Sequence, residues 1–191
     1  MPGQPDVDVL QGGRPQRVLL GQPLADWLRR EFDAQITWLP FDLHPEYPPT
    51  GKPREAWYDR IRPRFEEEGL VYNPNPDVIP RTLDALRLAE LARDLGRHQQ
   101  IHDRFMDAYW EGSIDLTSHH ELRKLVRDLP AGDVERVLDS DEYRARVDAS
   151  TAQAQSIGIN GIPAWLIDGK LLVPGAQPRE VFRRAFAQLA A

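Results

Sequence analysis

Hydrophobic positions in the first quarter of the chain follow the spacing of a strand, then of a helix, then of a second strand. Val7 and Val9 alternate with aspartates, which predicts a short strand, and residues 11–17 then form a polar loop with two glycines. Residues 24–30 place an apolar stripe on one face of a helix. Residues 35–43 are rich in β-branched and aromatic side chains, as in a buried strand. This quarter therefore predicts the order β-α-β.

The middle of the chain has helical spacing between boundaries rich in proline. Prolines cluster in residues 45–53 and again in residues 73–76, on either side of a charged helical stretch. Ser118 and Glu121 form the capping-box pattern that starts a helix. Helices with an apolar face, several of them closed by glycine or proline, are predicted at residues 88–95, 101–109, 119–129, 134–138 and 140–157.

The last third of the chain returns to the spacing of strands and ends on a helix. Residues 164–167 and 171–173 are short apolar runs, and the Asp168-Gly169 pair between them is a strong hairpin turn. Residues 181–189 then carry a final helical stripe. The predicted order is β-α-β, a helical block, then β-β-α.

Composition and charge narrow the classes of protein that this chain can belong to. Hydrophobic residues make up 41% of its 191 residues and charged residues 28%, which excludes a wholly disordered chain. Aspartate and glutamate outnumber lysine and arginine by 30 to 24, which argues against binding to nucleic acid or to anionic lipid. No apolar run approaches the roughly 18 residues of a membrane span, and residues 1–8 lack the pattern of a secretory signal. We therefore expect a cytoplasmic protein.

The chain contains no cysteine. This composition removes every disulfide, thiolate nucleophile and cysteine metal ligand that the protein could form by itself.

The order of elements and three stretches of sequence resemble one known family. Split by its helical block, the predicted order is that of the thioredoxin topology, and Gly161-Ile162-Pro163 stands where that fold has a cis-proline. Residues 158–178 are similar to the C-terminal signature of DsbA-like proteins of the FrnE type, residues 41–46 to their second strand, and residues 87–92 to a helix of their insertion. The resemblance covers nearly the whole chain.

The resemblance implies an α/β protein with a thioredoxin-like fold and a large all-helical insertion. It implies a discontinuous core of residues 5–51 and 151–191, and a helical insertion of residues 52–150 that forms a lid over it. It also implies that the Ile162–Pro163 peptide bond is cis and that a ligand cleft lies between the core and the lid. These are expectations for the structure to test.

In that family the first strand leads into a Cys-Pro-Trp-Cys motif, and the matching residues here are Pro15-Gln16-Arg17-Val18. Thiol–disulfide exchange begins with attack by a thiolate, and neither Pro15 nor Val18 has a sulfur. We therefore predict no catalytic residue of the dithiol type. The first functional hypothesis is a member of the protein-disulfide oxidoreductase family that has lost its redox cysteines and retains peptide or thiol-ligand binding near Pro163.

A second hypothesis keeps an enzymatic activity. The chain is also similar to the glutathione-dependent hydroxychromene-carboxylate isomerases and kappa-class transferases, which typically carry a serine at the first motif position. Pro15 has neither a hydroxyl group nor an N–H to steady the sulfur of glutathione. Such an enzyme would have to use His44, Arg14, Arg17 and the Ile162 backbone. A third interpretation is that residues 11–18 are a degenerate stretch of a once-active sequence.

The candidate ligand-binding residues are those of the proline loop together with three cationic or titratable side chains. The loop residues are Gly161, Ile162 and Pro163, because the backbone before such a proline can pair with an extended peptide or with glutathione. His44 could act as an acid or base, although a hydrogen-bonded structural histidine is the simpler interpretation. Arg14 and Arg17 could attract an anion, or could simply be solvated. No cofactor is predicted, glutathione and a peptide are the candidate ligands, and a homodimer remains open.

A pair of histidines on one helix is the remaining candidate. His98 and His102 share a helical face and could hold a metal together with Asp94 or Asp103. A solvated helix surface is the simpler interpretation, and no metal site is predicted.

Overall fold

The computed structural model describes residues 4–11 and 21–190. The first part of the fold has the predicted order, with strand β1 (Asp6–Gln11), helix α1 (Gln22–Phe32) and strand β2 (Gln35–Pro40). A proline is tolerated in the first turn of α1 because the first N–H groups of a helix have no partner within the helix. β2 ends at Pro40, where the proline predicted its edge or end, because proline cannot donate to a strand ladder.

The middle of the chain is mostly helical. It contains a 3₁₀ helix (Ala56–Ile61) and the helices α2 (Arg62–Glu67), α3 (Leu83–Asp94), α4 (His98–Trp110), α5 (His119–Leu125), α6 (Ala131–Leu138) and α7 (Arg144–Ser156). The capping box is present, since the Ser118 hydroxyl accepts a hydrogen bond from the Glu121 N–H. The apolar periodicity therefore placed these helices correctly.

The insertion is not helical throughout. The strands β3 (Lys52–Pro53) and β4 (Val78–Ile79) form an antiparallel pair of two residues each. Gly51 has φ +76°, and a Cβ atom there would lie 2.7 Å from the Ile79 carbonyl oxygen, so this close approach depends on glycine. The pair was not predicted because two residues are too few to show an alternation of apolar and polar side chains.

The sheet of the core has four strands in the order β2-β1-β5-β6, with β5 at Ala164–Ile167 and β6 at Leu171–Pro174. β1 and β2 are parallel, whereas β5 pairs antiparallel to both β1 and β6. Helix α8 (Arg179–Leu189) follows. This is the α/β thioredoxin-like fold, with the helical segment inserted between β2 and β5.

Two large clusters of buried apolar side chains stabilise the chain. The core cluster combines β1, α1 and β2 with β5, β6 and α8, and includes Trp38, Trp165 and Phe182. The insertion cluster spans residues 58–138. Met106 packs against both. The domain limits 5–51, 52–150 and 151–191 themselves stay a prediction.

Within residues 4–11 and 21–190, no helix is long and apolar enough to cross a membrane.

Candidate functional site

The ends of three strands meet at one edge of the sheet, which we call the site edge. β1 pairs Gln11 with Pro40 of β2, and it pairs Leu10 with Ala164 of β5. The last residues of β1 and β2 and the first residue of β5 therefore lie side by side. Residues 161–163 lead directly into β5 at this edge, and helix α1 begins at Gln22, eleven residues after β1 ends at Gln11.

The Ile162–Pro163 peptide bond is cis. The Pro163 carbonyl accepts a hydrogen bond from the Gly175 N–H at 2.8 Å, and the Gly175 carbonyl accepts one from Trp165 Nε1 at 3.1 Å. Trp165 is fully buried and Ile162 is 1% exposed. These bonds fix the loop before β5 to the segment that follows β6.

Four of the predicted site residues lie outside the described residues. These are Arg14, Pro15, Arg17 and Val18, which belong to the segment between β1 and α1. Their expected position beside Ile162 and Pro163 stays a prediction.

His44 lies beyond the end of β2. Its Nδ1 is 2.8 Å from Glu46 Oε1, and its ring stacks on that of Tyr47 at a centroid distance of 4.3 Å. These are contacts that a structural histidine makes. A role for His44 in ligand binding stays a prediction.

Asp42 is a titratable group at the site edge that the sequence analysis did not single out. It is 4% exposed, and its backbone N–H donates to Thr151 Oγ1 at 2.9 Å. Burial raises the pKa of its carboxyl group, against the opposing effects of the Arg81 charge and of a hydrogen bond from the His44 backbone N–H. Its position between the apolar residues Phe41 and Leu43 was the available signal.

A cleft of about 280 Å³ lies where the core and the insertion meet. It adjoins the start of α1, α2 of the insertion and the segment between β6 and α8, and Arg64 Nη2 donates across it to the Ala176 carbonyl at 3.2 Å. Residues 161–163 are not among those that line it, but Gly175, which holds Pro163, directly precedes Ala176. The lining residues are Pro23, Leu24, Arg64, Glu67, Glu68, Ala176, Gln177, Pro178 and Arg179.

The solvated helix surface expected for His98 and His102 is wrong. His102 is 2% exposed, and its ring stacks on Trp38 of β2 at a centroid distance of 4.8 Å, because α4 packs against the core. Burial lowers the pKa of His98 to about 3, and the charges of Arg93 and His102 act in the same direction. Among the described residues, no group of three or more His, Asp and Glu side chains is placed to hold a metal.

Comparison with known families supplies the decisive observation. The family model described as the DsbA-like thioredoxin domain matches residues 19–187. The chain belongs to this family. The match begins directly after Val18, so the positions that the resemblance assigned to the two cysteines precede it.

Relatives of this DsbA-like protein share its fold at low sequence identity. YwbO of Bacillus subtilis is 24% identical over 172 residues, which cover 81% of this chain and 82% of YwbO. The crystal structure of the probable DsbA oxidoreductase SCO1869 from Streptomyces coelicolor superposes with a TM-score of 0.81 at 24% identity, covering 97% of this chain and 89% of that one. A 2-hydroxychromene-2-carboxylate isomerase gives a TM-score of 0.71 at 16% identity, covering 97% and 96%. At these identities the likeness shows the fold alone.

Proposed function

We propose that this chain is a DsbA-like protein of the FrnE type that has lost the redox cysteines and binds an extended peptide or a glutathione-like ligand beside Pro163. The absence of cysteine supports the first part, since a protein without a thiol cannot form the mixed disulfide on which exchange depends. The second part rests on the backbone of Ile162.

The observation that carries the proposal is the backbone of Ile162 at the site edge, for which the described residues supply no backbone partner. Among the residues that the structure describes, neither the N–H nor the carbonyl of Ile162 has a backbone partner, although the residue is buried. Nearly all buried backbone groups in proteins have a hydrogen-bond partner. A ligand that presents an extended backbone would supply both a donor and an acceptor here.

The charges at the junction cleft favour a ligand that carries both signs of charge. Arg64 and Arg179 line it together with Glu67 and Glu68. A peptide, or glutathione with its carboxylates and amino group, can pair with both kinds of side chain. The link from Pro163 through Gly175 to Ala176 joins this cleft to the loop that carries Ile162.

Titration with glutathione and with S-methylglutathione tests the proposal. We expect both ligands to bind, because the chain has no thiol and binding therefore does not need a reactive sulfur on the ligand. The amide shifts should appear first at residues 161–165. Arg64→Gln should weaken binding, and Arg144→Gln, whose side chain is 44% exposed on α7, serves as the matched control. Absence of binding for both ligands and for short peptides in calorimetry would overturn the proposal.

Insulin reduction tests the loss of redox activity separately. We expect no turnover by the pure protein. The double substitution Pro15→Cys and Val18→Cys should restore measurable activity if the segment before α1 still places these positions as the family does. Turnover by the unmodified chain without an added thiol catalyst would contradict the assignment.

A second candidate function is a glutathione-dependent isomerase or transferase. The observation that favours it is the buried carboxyl of Asp42 at the site edge, because burial raises its pKa and a carboxyl group at such a position can act as a general acid or base. The likeness to the 2-hydroxychromene-2-carboxylate isomerase supplies a test substrate. Isomerisation of that compound with glutathione present, lost in Asp42→Asn, would favour the enzyme. No turnover by the unmodified protein would remove this candidate.

A further inference from the structure

One face of α4 carries two imidazoles and a thioether towards the core. His98, His102 and Met106 are spaced four residues apart, so they lie along the same side of the helix. The rings of His98 and His102 are nearly parallel, at 12°, with centroids 6.0 Å apart. Met106 packs against both apolar clusters, and Trp38 covers the ring of His102.

Both histidines keep one nitrogen buried without a partner. Among the described residues, the Nε2 atoms of His98 and His102 are enclosed and make no hydrogen bond. Buried polar atoms of this kind are rare and call for an explanation. Two such nitrogens on adjacent turns of one helix point to a ligand that accepts electron pairs.

Asp103 holds the ring of His102 through a hydrogen bond. Its Nδ1 lies 3.0 Å from Asp103 Oδ1, and that carboxylate also accepts hydrogen bonds from Gln22 Nε2 and Gln99 Nε2, both at 2.8 Å. When Nδ1 donates to this carboxylate, the lone pair of the neutral imidazole is on Nε2, the nitrogen that has no partner among the described residues. Histidines that bind metals show this arrangement.

We propose that His98 Nε2, His102 Nε2 and the Met106 thioether bind one monovalent copper ion. Two imidazoles that share an ion at about 2 Å have ring centres roughly 5–6 Å apart, close to the separation seen here. Thioether and imidazole donors are those that select Cu(I). This site lies apart from Ile162 and the junction cleft, and it does not depend on the proposed function.

The charge balance favours a monovalent over a divalent ion. All three donors are neutral, and the carboxylate of Asp103 supplies one negative charge behind His102. The guanidinium of Arg93, whose charge acts on His98, is paired with Glu90 at 3.1 Å. A divalent ion would leave one positive charge uncompensated in a buried site, which is costly.

Competition for Cu(I) with a chromophoric Cu(I) chelator, under anaerobic reducing conditions, tests the site. We expect the full chain to retain one equivalent of copper. Met106→Leu, a nearly volume-conserving change, and His98→Gln should each weaken binding at least tenfold. His120→Gln is the matched control, because the side chain of His120 is 75% exposed.

Two further measurements make the test decisive. Copper should raise the thermal unfolding temperature of the unmodified protein and not that of Met106→Leu, which shows that the variant is folded and has lost only the ion. Failure to retain copper against the chelator would overturn the proposal. The proposal would also be overturned if Met106→Leu and His98→Gln bound copper as tightly as the unmodified protein does. An affinity of the unmodified protein for Zn²⁺ equal to its affinity for Cu(I) would overturn it as well.

Discussion

The core and the insertion join their elements by different means. In the core, the strands β2, β1, β5 and β6 share a ladder of backbone hydrogen bonds, and the side chains beneath it are almost all apolar. The insertion, apart from the short β3–β4 pair, has no ladder between its elements. Several of its helices are joined instead by arginine and asparagine side chains that donate to the backbone carbonyls of other segments.

The pattern of these donors follows from helix geometry. The last four carbonyls of a helix have no partner within the helix. Arg104 donates to the Leu125 carbonyl at the end of α5, and Asn73 donates to the Glu111 carbonyl just after α4. Arg87, 4% exposed, donates to the carbonyls of Val137, Ser140 and Glu142 around the end of α6. The insertion therefore depends on polar side chains that donate to helix ends, and one of them, Arg87, is buried.

Trp165→Ala should cause the largest loss of stability of the substitutions compared, because it removes a fully buried side chain from the core. Trp165 packs edge-on against Phe182 at 5.4 Å and donates to the Gly175 carbonyl. We expect a loss of about 3–5 kcal/mol in the free energy of unfolding, measured by urea denaturation. Leu95→Ala, at a position 40% exposed, is the control and should cost less than about 1 kcal/mol. Similar losses in the two variants would contradict an apolar core.

Arg87→Met should cause the second-largest loss of stability, because it leaves three carbonyl oxygens without the side chain that donates to them. We expect a loss of about 2–4 kcal/mol, although methionine keeps the apolar stem. Arg144→Met removes two exposed ion pairs, with Asp141 and Asp148, each at 3.6 Å, and should change stability by less than about 0.5 kcal/mol. If both substitutions cost the same, side-chain donors do not hold the insertion together.

Tyr109→Phe tests a single buried hydrogen bond of the insertion and should cause a smaller loss of stability. The hydroxyl groups of Tyr109 and Tyr58 lie 2.8 Å apart inside the insertion cluster. Loss of one hydroxyl should cost about 1 kcal/mol in urea denaturation. Tyr143→Phe removes a hydroxyl that donates to Asp94 at the surface, and it should cost less. The reverse order would show that the buried pair does not contribute.

Asp42→Asn should cause the smallest change in stability, and that change should depend on pH. Burial raises the pKa of Asp42 in the folded state, so the unfolded chain loses this proton first as the pH rises from about 3.9. The unmodified protein then loses stability through that window, whereas the variant does not. The stability of the variant relative to the unmodified protein should therefore rise with pH and level off above the raised pKa. A relative stability that is constant or falls with pH would contradict this.

Local pattern was enough to predict the order of elements. Apolar spacing gave the strands of the core, and the Ser118 cap and Asp168-Gly169 turn marked boundaries that the structure contains. The β3–β4 pair was not predicted, because two residues in each strand are too few to show an alternation. The pair also depends on the close approach of Gly51 to Ile79, residues far apart in the chain. At the site, the sequence singled out the loop before β5 but missed Asp42, whose burial is set by its contact with Thr151 of α7.

The sequence by itself determined the thioredoxin-like succession of strands and helices and, through the absence of cysteine, that the chain has no thiol of its own. Spacing and composition are local properties of the chain, and both conclusions depend on nothing else. Only the tertiary structure decided which polar side chains are withdrawn from water. The helical face of His98 and His102 has the spacing of a solvated surface, yet Trp38, more than sixty residues earlier, covers the ring of His102. Burial depends on which element packs on a residue, and that partner is not encoded in the residue's own neighbourhood.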